Sequence, residues 1–171
     1  MIKQKKKKFN LKKIKLILSD IDGVLTDGGM YYSKTGEIMK KFNTKDGMGV
    51  ELLKKNNINT ILITKENSAI SKNRAKKLKI QIYSNIKNKE SKLHTICTKF
   101  MISPDEIAYI GDDVNDFEIM KLVGFSAAPI DSSTEILKIV DYVCEKKGGD
   151  GVFREVANLL INSKSKKHLL N

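Results

Sequence analysis

The amino-acid sequence predicts a three-layer α/β sandwich with a central parallel sheet, and two features lead to this prediction. Short apolar runs of strand length alternate along the chain with longer segments in which apolar residues recur at helical spacing. Strands that alternate with helices are joined by right-handed crossovers and form a parallel sheet. A chain of 171 residues has the usual size of one domain. We therefore expect a single Rossmann-like domain at 14–162.

The elements follow one another in a regular order. The first strand, predicted at 15–20, is followed by a β-hairpin insertion at 29–42, where two alternating runs flank the turn sequence KTGE. Five further strands are predicted at 59–63, 80–83, 106–110, 124–127 and 140–143. Six helices are predicted at 46–56, 68–78, 90–101, 115–122, 132–139 and 151–162. No long linker interrupts this series, so we expect no cap domain.

The net charge of +12 is concentrated at the two ends of the chain. Residues 1–15 contain eight lysines and residues 162–171 contain three more, with no acidic residue in either segment. Without these eleven lysines the 32 basic residues fall to 21, against 20 acidic ones. Because runs of like charge are usually solvated, we expect disordered basic tails at 1–13 and 163–171. Apart from Phe9 no aromatic residue is interleaved with the lysines, so we expect no nucleic-acid partner.

The sequence also argues against a membrane protein. No segment approaches the ~18 consecutive apolar residues that indicate a membrane span, and the first apolar run contains two aspartates, which disfavours a signal peptide. Cys97 and Cys144 lie far apart and outside any CxxC motif, which is typical of free cysteines. We therefore expect a cytoplasmic protein with no membrane partner.

Two aspartates at the end of the first predicted strand are the most informative feature of the chain. Asp20 and Asp22 are two positions apart, and side chains at this spacing leave an extended segment on the same side. Like charges that close repel unless a cation or a proton lies between them. Parallel α/β sheets bind ligands outside the carboxyl ends of their strands, where this pair falls. The simpler alternative is a turn that uses Asp and Gly for their backbone conformations.

Other polar residues follow the ends of two further predicted strands. Thr64 follows the strand at 59–63, and Asp112 belongs to the sequence GDDVND after the strand at 106–110. Lys89 lies in a polar connection between them. These groups should converge at one edge of a parallel sheet. They would offer carboxylates to a hard divalent cation such as Mg²⁺, and a hydroxyl and a lysine to phosphate oxygens.

Four spaced motifs in this chain resemble those of the haloacid dehalogenase-type phosphatases. They are DIDGVLTDG at 20–28, FNTKDGMG at 42–49, YIGDDVND at 109–116 and GGDGVFRE at 148–155. The segment 14–161 is similar to a narrower, capless group that acts on 2-keto-3-deoxy sugar acid phosphates. This group includes 3-deoxy-octulosonate 8-phosphate phosphatases and sialic-acid-type nononate 9-phosphate phosphatases. The resemblance implies a Mg²⁺-dependent sugar phosphatase of surface-polysaccharide biosynthesis.

The resemblance also implies roles for the acidic residues. Asp20 would attack phosphorus and carry a transient aspartyl-phosphate, and Asp22 would act as general acid and base. Mg²⁺ would be held by the carboxylates of Asp20 and Asp112 and by the backbone carbonyl of Asp22. The sequence leaves the resting protonation state of Asp22 open, because Asp20 and Mg²⁺ act on it in opposite directions.

Further residues would bind or orient the phosphate. By resemblance, Thr64 and Lys89 would contact the phosphoryl oxygens, and Lys92 is the alternative to Lys89. Asp113 and Asp116 would orient Lys89 or metal-bound waters.

Two motifs depart from the octulosonate phosphatases. That group usually has Gly-Arg after the threonine and Gly-Gly-Arg-Gly near the end of the chain. Here Lys65 and Glu66 follow the threonine, and Asp150 stands in place of the arginine. Glu66 together with Lys77 resembles a pair in nononate phosphatases, so we expect both to contact the substrate. They favour the nine-carbon substrate slightly over the eight-carbon one; drift at exposed positions is the alternative.

The resemblance implies a homotetramer in which the hairpin of one subunit covers the cleft of its neighbour. The apolar residues Met30, Tyr31, Ile38 and Met39 fit such a contact, although the hairpin could instead fold onto its own domain. A non-catalytic or regulatory domain of the same fold, associated with a sugar-acid cytidylyltransferase, is the alternative function. A phosphotransfer receiver domain is disfavoured, because the motifs at 20–28 and 109–116 are not its pattern.

Overall fold

The computed structural model describes residues 10–165 and confirms the predicted three-layer α/β sandwich. In chain order the strands are β1 (Leu16–Ser19), β2 (Tyr31–Ser33), β3 (Gly36–Met39), β4 (Asn59–Ile63), β5 (Gln81–Tyr83), β6 (Ile107–Ile110), β7 (Phe125–Ala128) and β8 (Tyr142–Val143). Six of them form the central sheet in the order β5-β4-β1-β6-β7-β8, and every neighbouring pair is parallel. The strand β1, which ends in the aspartate pair, therefore lies in the middle of the sheet.

Helices cover both faces of this sheet. They are α1 (Thr44–Lys55), α2 (Ala69–Leu78), α3 (Leu93–Phe100), α4 (Phe117–Leu122), α5 (Thr134–Leu137) and α6 (Val152–Ser165). Ile17 of β1 packs in the core that contains Leu53 of α1 and Leu160 of α6. Its neighbour Leu18 packs in the opposite core with Ile96 of α3. Burial on both faces explains why the strands are continuous apolar runs rather than alternating ones.

Several helix boundaries differ from the predicted ones for local reasons. Helix α1 begins at Thr44, two residues early, because the Asn43 side chain caps it and accepts the Lys45 amide at 3.0 Å. The helix predicted at 115–122 is divided: a 3-10 turn, Val114–Asp116, precedes α4. Asp113 caps that turn and accepts the Val114 amide.

Two described elements extend beyond 14–162, the predicted bounds of the domain. A 3-10 turn, Leu11–Lys13, precedes β1, and the Leu11 side chain packs against the core. Helix α6 runs to Ser165, three residues past the predicted end at 162. The remainder of the two predicted tails, 1–9 and 166–171, lies outside the described residues.

The hairpin of β2 and β3 forms its own antiparallel two-stranded sheet. Five large apolar side chains on it are between 42% and 60% exposed: Met30, Tyr31, Tyr32, Ile38 and Met39. No cap domain covers the edge of the central sheet within residues 10–165. In that same range, no helix is long and apolar enough to cross a membrane.

Candidate active site

The carboxyl ends of three adjacent strands bring the predicted polar residues together. Asp20 follows β1, Thr64 follows β4, and Asp112 follows β6 after one glycine. All three line one cleft of about 270 Å³, a volume close to the lower end of ligand-binding sites. Asp22 and Glu66 line the same cleft. The predicted convergence of strand ends therefore occurs in the structure.

Lys89 lies at the base of this site with its side chain fully buried. Its Nζ is 2.9 Å from Asp20 Oδ1 and 2.5 Å from Asp116 Oδ1. Burial alone would lower the pKa of Lys89, but the charges of Asp20 and Asp116 outweigh it, and the pKa is raised. Lys89 is therefore a fixed positive charge beside Asp20. The structure favours it over Lys92 as the lysine of the site.

Asp116 holds Lys89 in place through a buried network. Besides Lys89, its Oδ1 accepts the Tyr109 hydroxyl at 2.6 Å, and its Oδ2 accepts the Asp112 amide at 3.1 Å. Gly111 is required beside it, because a Cβ at that position would lie 2.4 Å from the Asp116 carboxyl carbon. Asp113 also lines the cleft; it is exposed, and its carboxylate caps the turn after β6. Its role in orienting Lys89 or metal-bound waters stays a prediction.

Asp22 is paired with a lysine that the sequence prediction missed. Lys40 Nζ lies 2.5 Å from Asp22 Oδ1 and 3.2 Å from Glu37 Oε1, and the lysine side chain is 1% exposed. Burial tends to lower the pKa of Lys40, but its bonds to Asp22 and Glu37 more than offset this, and the pKa is raised. Nothing in the sequence separates Lys40 from the chain's other basic residues. Tyr109 was also missed, although a tyrosine in a buried strand needs a hydroxyl partner.

The acidic residues of the site carry more negative charge than Lys89 compensates. Asp20, Asp112 and Asp116 each offer a carboxylate oxygen, and these oxygens lie within 4.8 Å of one another. Burial, opposed in part by Lys89, raises the pKa of Asp20 to about 7. Burial and the charges of Asp20 and Asp116 raise the pKa of Asp112 to about 8. When all three carboxylates are ionised, they and the Lys89 ammonium leave two negative charges, which one divalent cation would neutralise.

The donor set of Asp20 and Asp112 suits such a cation. Asp112 Oδ1 is buried and has no hydrogen-bond partner among residues 10–165. The two Asp116 oxygens, in contrast, are occupied by Lys89, Tyr109 and a backbone amide. Asp112 is therefore the one of these three aspartates with a buried oxygen left for a metal, while Asp20 already contacts Lys89. Carboxylate oxygens in small number are the protein ligands that Mg²⁺ prefers.

The glycines of the first and last motifs shape the loop that carries Asp20 and Asp22. Gly23 has φ +89°, and a Cβ there would lie 2.0 Å from Asp112 Oδ2. The turn at Gly148 packs so closely that a Cβ would lie 2.1 Å from the Gly23 carbonyl oxygen. Gly149 donates its amide to the Val24 carbonyl at 3.0 Å and accepts the Asn43 side-chain amide at 3.1 Å. The first, second and fourth motifs thus build one loop scaffold.

Lys77 does not line this cleft, and its predicted contact with the substrate stays a prediction. It lines a separate pocket beside Asn59, at the start of β4. Thr64 follows the other end of that strand, about 16 Å away at the usual rise per residue. Glu66 does line the cleft, where its side chain is exposed and its amide donates to Thr64 Oγ1 at 3.1 Å. Asp150 is exposed.

Known proteins similar to this chain fall into one family. The sequence profile of the haloacid dehalogenase-like hydrolases matches residues 48–156. The 3-deoxy-D-manno-octulosonate 8-phosphate phosphatase of Salmonella typhi is 36% identical over 154 residues, which cover 90% of this chain and 82% of that protein.

Two solved structures have the same fold. A cobalt-bound deoxy-D-mannose-octulosonate 8-phosphate phosphatase from Haemophilus influenzae superposes with a TM-score of 0.89 at 31% identity, covering 92% of each chain. The enzyme from Moraxella catarrhalis, in complex with a magnesium ion, a phosphate ion and a KDO molecule, gives a TM-score of 0.87 at 34% identity. That match covers 91% of this chain and 90% of the other.

Proposed function

The chain belongs to the haloacid dehalogenase-like hydrolase family and is a phosphomonoester hydrolase, and on that basis we propose that it dephosphorylates 3-deoxy-octulosonate 8-phosphate. One observation carries the proposal: Asp20 and Thr64 line one cleft, with Lys89 buried against Asp20, in a chain that covers 82% of a phosphatase of that name. A complete set of reactive groups does not favour the alternative of a non-catalytic domain.

The site supports a reaction in two displacements. Asp20 attacks the phosphorus, the bond from phosphorus to the sugar oxygen breaks, and Asp22 gives its proton to that oxygen. Asp22 then takes a proton from water, whose oxygen attacks the aspartyl-phosphate. Inorganic phosphate leaves, and both aspartates return to their starting states. Lys89 and the Thr64 hydroxyl would hold the phosphoryl oxygens in line with Asp20.

Mg²⁺ is the cofactor we propose. The carboxylates of Asp20 and Asp112 would hold it, together with the backbone carbonyl of Asp22. When bound, the ion would neutralise the two uncompensated charges of the site and part of the charge of the phosphate. The unpartnered Asp112 Oδ1 supports this assignment, as do the magnesium and cobalt ions named for two structural relatives.

A nine-carbon sugar acid 9-phosphate is the second candidate substrate. The observation in its favour is Glu66, an acid at the cleft where octulosonate phosphatases usually have arginine. Lys77, the other half of the predicted pair, lies outside the cleft. The eight-carbon substrate is therefore our first choice.

We also propose that the enzyme works as a homotetramer assembled through the hairpin. Five large apolar side chains on the hairpin are about half exposed, and apolar patches of this kind mark interaction surfaces. Met30 belongs both to this exposed set and to the lining of the cleft. A neighbour seated on the hairpin would therefore also cover an otherwise open active site.

We propose a cytoplasmic site of action. Neither Cys97 nor Cys144 forms a disulfide, as expected in a reducing compartment.

The proposed function is tested by phosphate release from 3-deoxy-octulosonate 8-phosphate, measured before and after chelation and after return of Mg²⁺. We expect turnover that disappears with the chelator and returns with Mg²⁺. Undiminished turnover after chelation would remove the metal from the proposal. The absence of turnover in the Mg²⁺-loaded wild type would overturn the substrate assignment.

A further inference from the structure

We propose that Lys40 is a positioning residue for Asp22, the group assigned to protonate the leaving oxygen. The inference rests on the proposed function, because it assumes that role for Asp22. Lys40 would act by fixing the orientation of the Asp22 carboxylate, without contact to the substrate.

The contacts of Lys40 form a chain that ends at Asp22. Lys40 comes directly after β3, and its Nζ bridges Glu37 Oε1 at 3.2 Å and Asp22 Oδ1 at 2.5 Å. Glu37 Oε2 in turn accepts the hydroxyl of Ser68, the residue that caps α2. Ser68 Oγ also accepts the Ser71 amide at 3.2 Å. The position of the lysine is thus determined by the hairpin on one side and by a helix end on the other.

Lys40 is buried to an unusual degree for an ion on an exposed hairpin. Its side chain is 1% exposed, against 21% for Asp22 and 16% for Glu37. A buried ammonium is stable only when its hydrogen bonds are satisfied by well-placed partners. Since Glu37 is fixed by Ser68, the second partner, Asp22, has one favourable orientation.

This orientation distinguishes the two carboxylate oxygens of Asp22. Oδ1 accepts Lys40 and lies 3.5 Å from Thr26 Oγ1. Oδ2 is buried and has no hydrogen-bond partner in the described part of the chain. Asp22 lines the cleft, and Oδ2 is its carboxylate oxygen without a partner among the described residues, so we assign the proton exchange with the leaving group to Oδ2. A general acid works only within hydrogen-bond reach of the atom it protonates, so fixing this oxygen contributes to rate.

The experiment compares two substrates that differ in their need for a proton. A sugar phosphate releases an alkoxide, which must be protonated, whereas p-nitrophenyl phosphate releases a stable anion. We would measure kcat for both substrates with wild type, Asp22→Asn, Lys40→Met and the double variant. Lys41→Met is the matched control, because Lys41 is the next residue, is 63% exposed and lies 3.6 Å from Asp27. Melting temperatures would verify that each variant is folded.

We expect Lys40→Met to lower kcat for the sugar phosphate about tenfold or more. This is less than the ~100-fold or larger effect typical of a general acid, because Asp22 is still present but no longer held in place. The kcat for p-nitrophenyl phosphate should change less than about threefold. On the sugar phosphate the double variant should be no slower than Asp22→Asn alone, because the two residues are proposed to act through one another. Equal loss on both substrates would assign Lys40 a merely structural role. A loss equal to that of Lys41→Met would also overturn the proposal.

Two further results keep the test decisive. If Lys40→Met does not fold, Glu37→Gln weakens the same chain of contacts, and it must show the same selective loss on the sugar phosphate. If Asp22→Asn itself shows no selectivity between the substrates, the role of Asp22 in the proposed function fails, and the role of Lys40 fails with it. If Asp22→Asn loses activity selectively on the sugar phosphate but the folded Lys40 or Glu37 variant does not, only the inference about Lys40 is overturned and the role of Asp22 stands.

Discussion

Replacing Tyr109 by Phe is expected to destabilise the protein by about 1.5–3 kcal/mol, the usual contribution of a hydrogen bond to a charged group. The Tyr109 hydroxyl donates to Asp116 Oδ1 at 2.6 Å, and both residues are completely buried, so water cannot replace the bond. The substitution leaves no cavity. Asp116 keeps Lys89 and its backbone partner, which holds the cost below the ~3–5 kcal/mol of a broken buried ion pair.

The matched control is Tyr32→Phe, the same chemical change on a side chain that is 60% exposed. For a chain of this length each kcal/mol corresponds to about 2–4 °C in Tm, so Tyr109→Phe should melt ~3–12 °C lower. The control should stay within about 0.5 kcal/mol of wild type. Both would be measured by urea and thermal denaturation in the presence of a chelator. Equal stability of the two variants would refute the view that Tyr109 helps to hold Asp116, and through it Lys89.

Three further predictions concern the nucleophile, the metal and the assembly. Asp20→Asn should lower kcat at least ~100-fold, or about 2.7 kcal/mol, in a protein that still folds; a smaller loss would remove Asp20 as nucleophile. The pKa values of Asp20 and Asp112, about 7 and about 8, exceed the ordinary value of 3.8. Up to about pH 8 the folded metal-free protein therefore binds more protons than the unfolded chain. Its stability should fall as the pH rises from about 4 to about 8. Mg²⁺ should therefore raise the Tm more at pH 8 than at pH 6, and an equal rise at both would contradict the assigned ligands. Tyr32→Glu combined with Ile38→Glu should give a folded monomer by light scattering, and a persistent tetramer would exclude the hairpin contact.

The fold was predictable because its strands are buried on both faces. In β1 and β4 a run of apolar residues leads into a polar residue just after the strand, which locates Asp20 and Thr64 without a structure. Lys89 was predictable from the order and spacing of the motifs, and the structure places it beside Asp20.

Other parts of the site depend on packing that the sequence does not display. Lys40 is one of several lysines near the hairpin, and only the tertiary position of Glu37 and Asp22 distinguishes it. The position of Lys77 depends on the direction in which α2 crosses the sheet, and the structure carries the end of that helix to the start of β4. Asp113 was predicted to orient Lys89 or metal-bound waters, and the sequence does not display that its carboxylate also caps the turn after β6.

The most direct test of the proposed function is the ratio of kcat/KM values for three substrates measured side by side with Mg²⁺. We predict that kcat/KM for 3-deoxy-octulosonate 8-phosphate exceeds that for glucose 6-phosphate by about 100-fold or more, or ~2.7 kcal/mol in transition-state binding. A nine-carbon sugar acid 9-phosphate should have a lower kcat/KM than the eight-carbon sugar acid 8-phosphate. If its kcat/KM is instead about tenfold higher, ~1.4 kcal/mol, the nine-carbon compound would replace the eight-carbon one as the proposed substrate. Equal or faster hydrolysis of glucose 6-phosphate would contradict the assignment to sugar acid phosphates altogether.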